Sequence, residues 1–167
     1  MKVAVITVSD RASRGEYEDR SGPEMEAAFR ELVPGIEIER SVVPDERELI
    51  LAALERHAAC DWLFTTGGTG PAPRDVTPEA TRAFIDRELP GLAEYLRLES
   101  LKETTHAVFS RGVAGMRGQS YVVNAPGSVK AARLCARLFA PLLEHGYRMA
   151  RGLRSEEHTS ELQSPNT

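Results

Sequence analysis

The strongest constraint on the fold is a run of β-branched and small apolar residues near the N-terminus. Residues 3–8 read VAVITV, in which threonine is the only polar residue. A strand without alternation of apolar and polar side chains is buried on both faces, which is typical of a central strand in a parallel sheet covered by helices. The run ends at Ser9 and Asp10. We therefore expect a central strand of an α/β protein.

Strands and helices alternate along the following residues. Further strand patterns occur at residues 36–43, at Trp62–Thr66 and at 121–124. Segments with helical spacing follow cap-like residues or a proline, namely after Ser21, after Asp45, from Thr77 to about Leu89, over 92–102 after Pro90-Gly91, and from Ser128 to about Leu138. Such alternation with short connections predicts a mostly parallel sheet with helices on both faces.

Composition and charge exclude several classes of protein. The 167 residues, 41% of them hydrophobic, fit one ordinary globular domain. Without an apolar run approaching 20 residues or a cleavable signal pattern, we expect a cytoplasmic protein with no membrane partner. The net charge is -4 and the basic residues are scattered among acidic ones, so nucleic acid is not an expected partner.

The end of the chain does not continue the α/β pattern. Residues 154–167 read RSEEHTSELQSPNT, with one leucine and no apolar period. Residues 154–164 resemble the in-frame translation of a common sequencing-adapter oligonucleotide. We therefore expect one folded domain over residues 1–153 and a non-native, disordered tail over 154–167.

The cysteines and histidines do not indicate a metal centre. Cys60 and Cys135 are far apart in the sequence and form no CxxC pair, so we expect both to be buried small apolar groups. His57, His106 and His145 are isolated in or near helical stretches. Surface or capping positions are therefore expected for all three.

A glycine-rich turn directly follows the third predicted strand. Residues 66–70 read TGGTG, and glycines permit positive φ angles, so that backbone N–H groups can form a nest for an anion. The segment lacks the Gly-Lys-Ser/Thr of a P-loop and the GxGxxG fingerprint. Such a turn alone is more often structural. The prolines at 71 and 73 and the pair Arg74-Asp75 before a helix strengthen its interpretation as a phosphate-binding loop.

Two aspartates are the candidate functional carboxylates. In a parallel sheet Asp45, which follows a strand, lies at the same edge as the glycine turn and residues 124–128. Taken singly, Asp45 fits a helix cap better than a catalyst, and Asp75 is also explained as an ion-pair partner of Arg74 or of another neighbouring residue. Two carboxylates beside a phosphate nest fit a site in which Mg²⁺ neutralises charge between protein and substrate.

The ordered set of motifs resembles the MogA/MoaB family of molybdenum cofactor biosynthesis proteins. The resemblance extends over about residues 1–150, and the segment PRDVTPEAT is more similar to the MogA-type branch than to the MoaB-type branch. The motifs are TVSD at 7–10, SGP at 21–23, VVPDE at 42–46, TTGGTGPAPRDVTPEAT at 65–81, SRGVAGMRG at 110–118 and NAPGSVKAA at 124–132.

The resemblance implies a single-domain, three-layer α/β/α sandwich that assembles as a homotrimer. It also implies molybdopterin adenylyltransferase activity: AMP passes from Mg-ATP to the terminal phosphate of molybdopterin, and pyrophosphate is released. Asp45 and Asp75 would be the catalytic residues and the Mg²⁺ ligands. The implied substrate-binding residues are Thr66, Gly67, Gly68, Thr69, Gly70, Ser110, Asn124, Pro126, Gly127 and Ser128.

Two other functions are compatible with the same resemblance. The chain could be a non-catalytic molybdopterin carrier of the MoaB type, or an oligomeric scaffold with a vestigial site. Transient partners implied for the enzyme are molybdopterin synthase and the molybdenum-insertion protein. Arg111 and Arg117 flank a glycine-containing segment, and their pattern fits a clamp on an anionic substrate, solvated surface charges or subunit contacts equally well.

Overall fold

The apolar run near the N-terminus forms an inner strand of a mixed sheet in the computed structural model, which describes residues 1–153. The strands are β1 (Lys2–Val8), β2 (Glu37–Val43), β3 (Trp62–Thr66), β4 (Arg87–Glu88), β5 (Ala114–Arg117) and β6 (Ser120–Ala125). Their order in the sheet is β2-β1-β3-β6-β5-β4. Neighbours are parallel from β2 to β6, and the pairs β6-β5 and β5-β4 are antiparallel.

The helices connect these strands over both faces of the sheet. They are α1 (Asp10–Ser13), α2 (Ser21–Leu32), α3 (Arg47–Arg56), α4 (Thr77–Phe84), α5 (Pro90–Leu101), α6 (Val129–Phe139) and α7 (Leu143–Ala150), with short 3₁₀ turns at Thr105–Phe109 and Ala140–Leu142. None of the helices within residues 1–153 combines the length and the hydropathy that a membrane span requires. The predicted tail over 154–167 lies outside the described residues.

Alternate residues of the inner strands face two separate cores. Val3, Val5 and Phe64 pack with α2, α5 and α6, whereas Ile6 and Leu63 pack with α3 and α4. Aromatic rings fill the first core: the rings of Trp62 and Tyr121 are stacked 4.2 Å apart, and Phe29 contacts Phe64 at 4.9 Å. Burial on both faces explains why the inner strands lack alternation. The three-layer α/β/α fold is confirmed.

The antiparallel edge was not predicted. Sequence patterns place a helix from Thr77 to about Leu89, but α4 ends at Phe84 and the chain then pairs with β5. The N–H of Asp86 donates to the carbonyl of Met116 at 2.8 Å. β5 has four residues including Gly115, whose added Cβ would lie 2.3 Å from the carbonyl oxygen of Arg87. Such a short, glycine-containing edge strand has little periodicity to detect.

One of the two helix caps relevant to the site agrees with expectation. Ser128 caps α6, since its Oγ accepts the N–H of Ala131 at 3.1 Å, as predicted. The prediction that Asp45 caps a helix is wrong: α3 begins at Arg47, after a Glu46 that makes no side-chain cap. The Asp45 side chain is therefore free of the capping role that its position suggests.

The buried polar residues also differ in part from expectation. Of the two positions expected for His57, surface or cap, the structure shows the cap: His57 is the C-cap residue of α3. It is not a surface residue, because it is 7% exposed and its Nδ1 lies 2.7 Å from Oε2 of Glu39. Cys60 is buried as expected, although its Sγ contacts the same carboxylate. Cys135 is buried in the apolar core, as predicted.

Candidate active site

A groove of about 1260 Å³ opens where β1, β3 and β6 end. Parallel strands expose their last residues and following loops along one edge, which is where ligands bind in α/β proteins. The groove is bounded by the loop after β1, the glycine turn after β3, the loop after β6 and the segment around Ser110. Asp45 and Asp75 both line it. Sequence elements that are remote along the chain therefore share one cavity.

The glycine turn requires glycine at its first two positions. Gly67 and Gly68 have φ angles of 109° and 68°, which other residues rarely adopt. An added Cβ at Gly67 would lie 2.2 Å from the carbonyl oxygen of Val8, and one at Gly68 would lie 2.3 Å from Oγ1 of Thr77. Thr77 fixes the turn, since its Oγ1 donates to the carbonyl of Gly67 at 2.9 Å. The backbone is thus held close to its neighbours.

Asp45 is held by a reciprocal pair of hydrogen bonds with Asp10. The N–H of Asp10 donates to Oδ2 of Asp45 at 2.9 Å, and the N–H of Asp45 donates to Oδ1 of Asp10 at 3.0 Å. Arg74 is the partner of Asp10 rather than of Asp75, with contacts of 2.6 and 2.9 Å. This guanidinium lowers the pKa of Asp10. Asp10 and Arg74 therefore orient the Asp45 carboxylate.

The electrostatic environment of Asp45 opposes its negative charge. Burial is the main cause that raises its pKa, and the carboxylates of Asp10 and Asp75 raise it further. Its Oδ1 lies close to Gly68, where an added Cβ would be 3.0 Å away. Oxygen donors from one or two carboxylates are the usual protein ligands of Mg²⁺. The donor chemistry and the crowding of negative charge fit a divalent cation at Asp45 and Asp75.

Asp75 lies at the other end of the glycine loop. Its Oδ2 accepts the N–H of Ala72 at 3.1 Å and would lie 2.9 Å from a Cβ added to Gly70. Arg111 holds this loop from outside: its Nε donates to the carbonyl of Gly70 at 2.9 Å and one Nη to the carbonyl of Asp75 at 2.7 Å. The same guanidinium pairs with Glu79. Arg111 therefore links the two ends of the loop over residues 70–75 to Glu79 of α4, and we call this set of contacts the Arg111 clasp.

Helix α6 presents its N-terminus to the groove. Ser128 and Lys130 line the cavity, together with Arg133 further along the helix. The unpaired N–H groups of a first helical turn and the helix dipole favour anions, and basic side chains add to this effect. Ser110 also lines the groove, where its Oγ accepts the N–H of Gly112 at 3.3 Å. This side of the groove has the chemistry of an anion subsite.

Most of the residues expected at the site line the groove, and two lie beneath it. The lining residues among them are Asp45, Gly67, Gly68, Thr69, Gly70, Asp75, Ser110, Pro126, Gly127 and Ser128. Thr66 is buried and donates from Oγ1 to the carbonyl of Pro126 at 2.9 Å. Asn124 is 3% exposed, and its amide donates to Thr65 and Thr81 at 2.9 Å each. These two side chains support the loops from below.

Several residues at the site were not identified as functional from the sequence. Asp10 and Arg74 support Asp45, and Asp19 and Lys130 line the groove. The sequence pattern fits three interpretations of Arg111, and the structure adds a fourth, the clasp on the glycine loop. The position of Lys130 at the site could have been predicted from the sequence, because it follows the predicted cap Ser128 by two residues. The pairing of Arg74 with Asp10 has no signal in the sequence, since the two residues are far apart along the chain.

Comparison with known proteins gives the family. Residues 4–145 match a protein family described as a probable molybdopterin binding domain. A molybdopterin adenylyltransferase from Helicobacter pylori strain J99 is 42% identical over 147 residues, which are 86% of this chain and 84% of that protein.

Solved structures agree with this comparison. The molybdopterin biosynthesis enzyme MoaB from Thermus thermophilus is 44% identical with a TM-score of 0.79, and the alignment covers 90% of this chain and 96% of that chain. A structure of MogA has a TM-score of 0.83 at 33% identity and covers 90% of this chain and 99% of the other. Because the family match covers residues 4–145 and most of each chain aligns with these relatives, this chain belongs to the MogA/MoaB family of molybdopterin-binding domains.

Proposed function

We propose that this chain is a molybdopterin adenylyltransferase of molybdenum cofactor biosynthesis. The reaction transfers AMP from Mg-ATP to the terminal phosphate of molybdopterin and releases pyrophosphate. The observation that carries the proposal is the shared groove: the glycine turn, two carboxylates and the N-terminus of α6 face one cavity. The relatives named molybdopterin adenylyltransferase support the same activity.

The AMP transfer brings together two anionic substrates, molybdopterin and ATP. The terminal phosphate oxygen of molybdopterin attacks the α-phosphorus of ATP, the new P–O bond forms, and the bond to pyrophosphate breaks. The N–H groups of residues 68–70 and the N-terminus of α6 would donate to phosphate oxygens, and Lys130 would add positive charge. Asp45 and Asp75 would hold Mg²⁺, which supplies charge neutralisation when bound. Catalysis then depends on positioning and charge, without a side-chain nucleophile.

Substitution of Asp75 by Asn tests the proposal. The change keeps the size of the side chain and removes its charge, so we expect pyrophosphate release with ATP and molybdopterin to fall by at least about 100-fold. Molybdopterin binding, measured by calorimetry, should change little. Asp86→Asn is the matched control, because Asp86 accepts the N–H of Gly118 outside the groove. Normal turnover in Asp75→Asn would reject the assigned role.

The same assays separate the alternative functions. A MoaB-type carrier would bind molybdopterin and release no pyrophosphate. The 44% identity to a protein named MoaB is the observation that favours this alternative. A scaffold would bind neither ATP nor molybdopterin. The enzyme requires binding of both and a dependence of turnover on Mg²⁺.

The proposal includes a homotrimer that acts in the cytoplasm, where ATP is available. Support for assembly comes from apolar side chains on α5 and the following 3₁₀ turn. Leu98, Val108 and Phe109 are 63–64% exposed, and Phe109 borders the groove. Exposed apolar groups of this size favour burial against another surface. The proposal also includes transient contacts with molybdopterin synthase and the molybdenum-insertion protein.

A further inference from the structure

A second polar cluster lies at the opposite end of the parallel strands from the groove. Glu39 is on the edge strand β2, His57 follows α3, and Cys60 precedes β3. Nδ1 of His57 lies 2.7 Å from Oε2 of Glu39, and Sγ of Cys60 lies 3.6 Å from the same oxygen. One sulfur, one nitrogen and one carboxylate oxygen thus lie within 4.8 Å of one another.

These donor atoms are of the types that bind zinc in proteins. Zn²⁺ takes thiolate sulfur, imidazole nitrogen and carboxylate oxygen in tetrahedral sites. At ordinary bond lengths, neighbouring ligand atoms around tetrahedral zinc are about 3.4–3.6 Å apart. The contact between Sγ of Cys60 and Oε2 of Glu39 already matches this spacing. The contact between His57 and Glu39 has to lengthen by less than about 1 Å, which a small side-chain rotation provides.

We propose that Glu39, His57 and Cys60 form a site for a borderline divalent cation, Zn²⁺, with a fourth position for water. The proposal is independent of the adenylyltransferase function, because none of these residues lines the groove. Cys60 and His57 are 1% and 7% exposed, and Cys60 packs in the core that Ile6 and Leu63 form with α3 and α4. Glu39 is partly exposed on β2 and gives the ion a route to solvent.

Two neighbouring residues complete the arrangement. Oγ of Ser41 lies 2.6 Å from Nε2 of His57, and Nζ of Lys2 lies 2.7 Å from Oε1 of Glu39. A histidine that binds metal through one nitrogen usually donates its other N–H to a fixed acceptor. Ser41 is that acceptor when the ring proton lies on Nε2. Lys2 occupies the carboxylate oxygen that faces away from His57 and Cys60, and leaves Oε2 for the metal.

Binding changes the protonation of the cluster in a defined way. Burial raises the pKa of Cys60 to about 12 in the metal-free protein, so the thiol has to release its proton when the Zn–S bond forms. Metal binding through Nδ1 of His57 leaves the ring proton on Nε2, and the Ser41 hydroxyl then accepts this N–H. The ion would tie edge strand β2 to the link between α3 and β3.

Cobalt titration of the full-length, metal-free protein tests the site. Excess Mg²⁺ is present to occupy oxygen-donor sites, and Co²⁺ reports a sulfur ligand through a charge-transfer band in the near ultraviolet. We expect one Co²⁺ per chain with this band, and its loss when Zn²⁺ is added. Ser41→Ala should weaken the affinity about 10- to 100-fold, because the partner that orients His57 is lost.

The chain has two cysteines, which provides a matched control. Cys60→Ser should abolish the band, whereas Cys135→Ser should keep it, because Cys135 lies in the other core. If Cys60→Ser does not fold by circular dichroism, X-ray absorption of the zinc-loaded Cys135→Ser protein gives the answer: one sulfur at about 2.3 Å supports the site. Absence of the band and of the sulfur neighbour, or their dependence on Cys135, would overturn it.

Discussion

The two ends of the parallel strands carry polar clusters with opposite electrostatic character. At the carboxyl end, burial and the carboxylates of Asp10 and Asp75 raise the pKa of Asp45. At the amino end, hydrogen bonds from Lys2 and His57 lower the pKa of Glu39 to about 2. The first cluster concentrates negative charge beside a groove, and the second pairs its carboxylate with neighbouring donors.

This difference shows which end depends on a ligand. The amino-end cluster is satisfied by its own hydrogen bonds, so a metal there would add stability to a fold that already holds together. The carboxyl-end cluster places like charges together and therefore gains from a bound cation. Its geometry also depends on Arg111 and on Gly67 and Gly68, where an added Cβ would clash with neighbouring atoms. Gly35 and Gly118, at the amino ends of β2 and β6, also have positive φ angles, but an added Cβ there would meet nothing within 4 Å.

The largest effect is expected at the glycine turn. Gly67→Ala forces a side chain into a positive φ angle and against the carbonyl oxygen of Val8. We expect the free energy of unfolding to fall by more than about 2 kcal/mol and pyrophosphate release to be lost. Chemical denaturation and the pyrophosphate assay measure these two quantities.

Gly15→Ala separates the effect of the positive φ angle from the effect of the steric clash. Gly15 has a φ angle of 73°, but an added Cβ would meet nothing within 4 Å. The substitution should therefore cost only about 1 kcal/mol for the backbone angle and leave turnover intact. Equal effects of both substitutions would show that the turn has no special requirement for close packing.

A smaller effect on stability and a clear effect on activity are expected for Arg111→Gln. The glutamine cannot reach the carbonyls of Gly70 and Asp75 together with Glu79, so the loop loses its clasp. Because small misplacements of reacting groups are costly, kcat/KM for AMP transfer should fall about 10- to 100-fold. Arg117→Gln is the control, since Arg117 pairs with Glu55 and the carbonyl of Phe84 outside the groove. A similar loss of activity in both variants would contradict the role of Arg111.

The smallest effects test the electrostatic difference itself. A raised pKa means that ionised Asp45 destabilises the folded state, so Asp45→Asn should increase the free energy of unfolding at pH 7 by up to about 1 kcal/mol. Glu39→Gln should decrease it, by less than about 1 kcal/mol because Glu39 and Lys2 are partly exposed. Thermal denaturation in the presence of a chelator measures both. Changes of the same sign would refute the comparison.

The sequence predicts the parts of the molecule whose signals are local. Apolar runs without alternation predict the inner strands, because such strands are buried on both faces. The motifs that follow these strands predict the groove, because parallel strands end at one edge of the sheet. Ser128 was identified as a cap because its signal lies within four residues. The family assignment followed from an ordered set of such motifs and is confirmed.

The remaining features depend on contacts between segments that are far apart along the chain. Arg74 pairs with Asp10 across 64 positions, and Arg111 reaches Gly70 across 41. His57 and Glu39 lie on different elements, so the sequence did not bring them together with Cys60. The edge strand β5 was missed because its partner in pairing, rather than its composition, defines it.

Direct detection of adenylylated molybdopterin is the most decisive measurement of the central claim, that one groove brings ATP and molybdopterin together for AMP transfer. The purified chain is incubated with molybdopterin, ATP and Mg²⁺, and the products are separated by chromatography and identified by mass. The account predicts adenylyl-molybdopterin and pyrophosphate in equal amounts, and neither product when Mg²⁺ is omitted. Molybdopterin that binds to the chain but is recovered without AMP would contradict it.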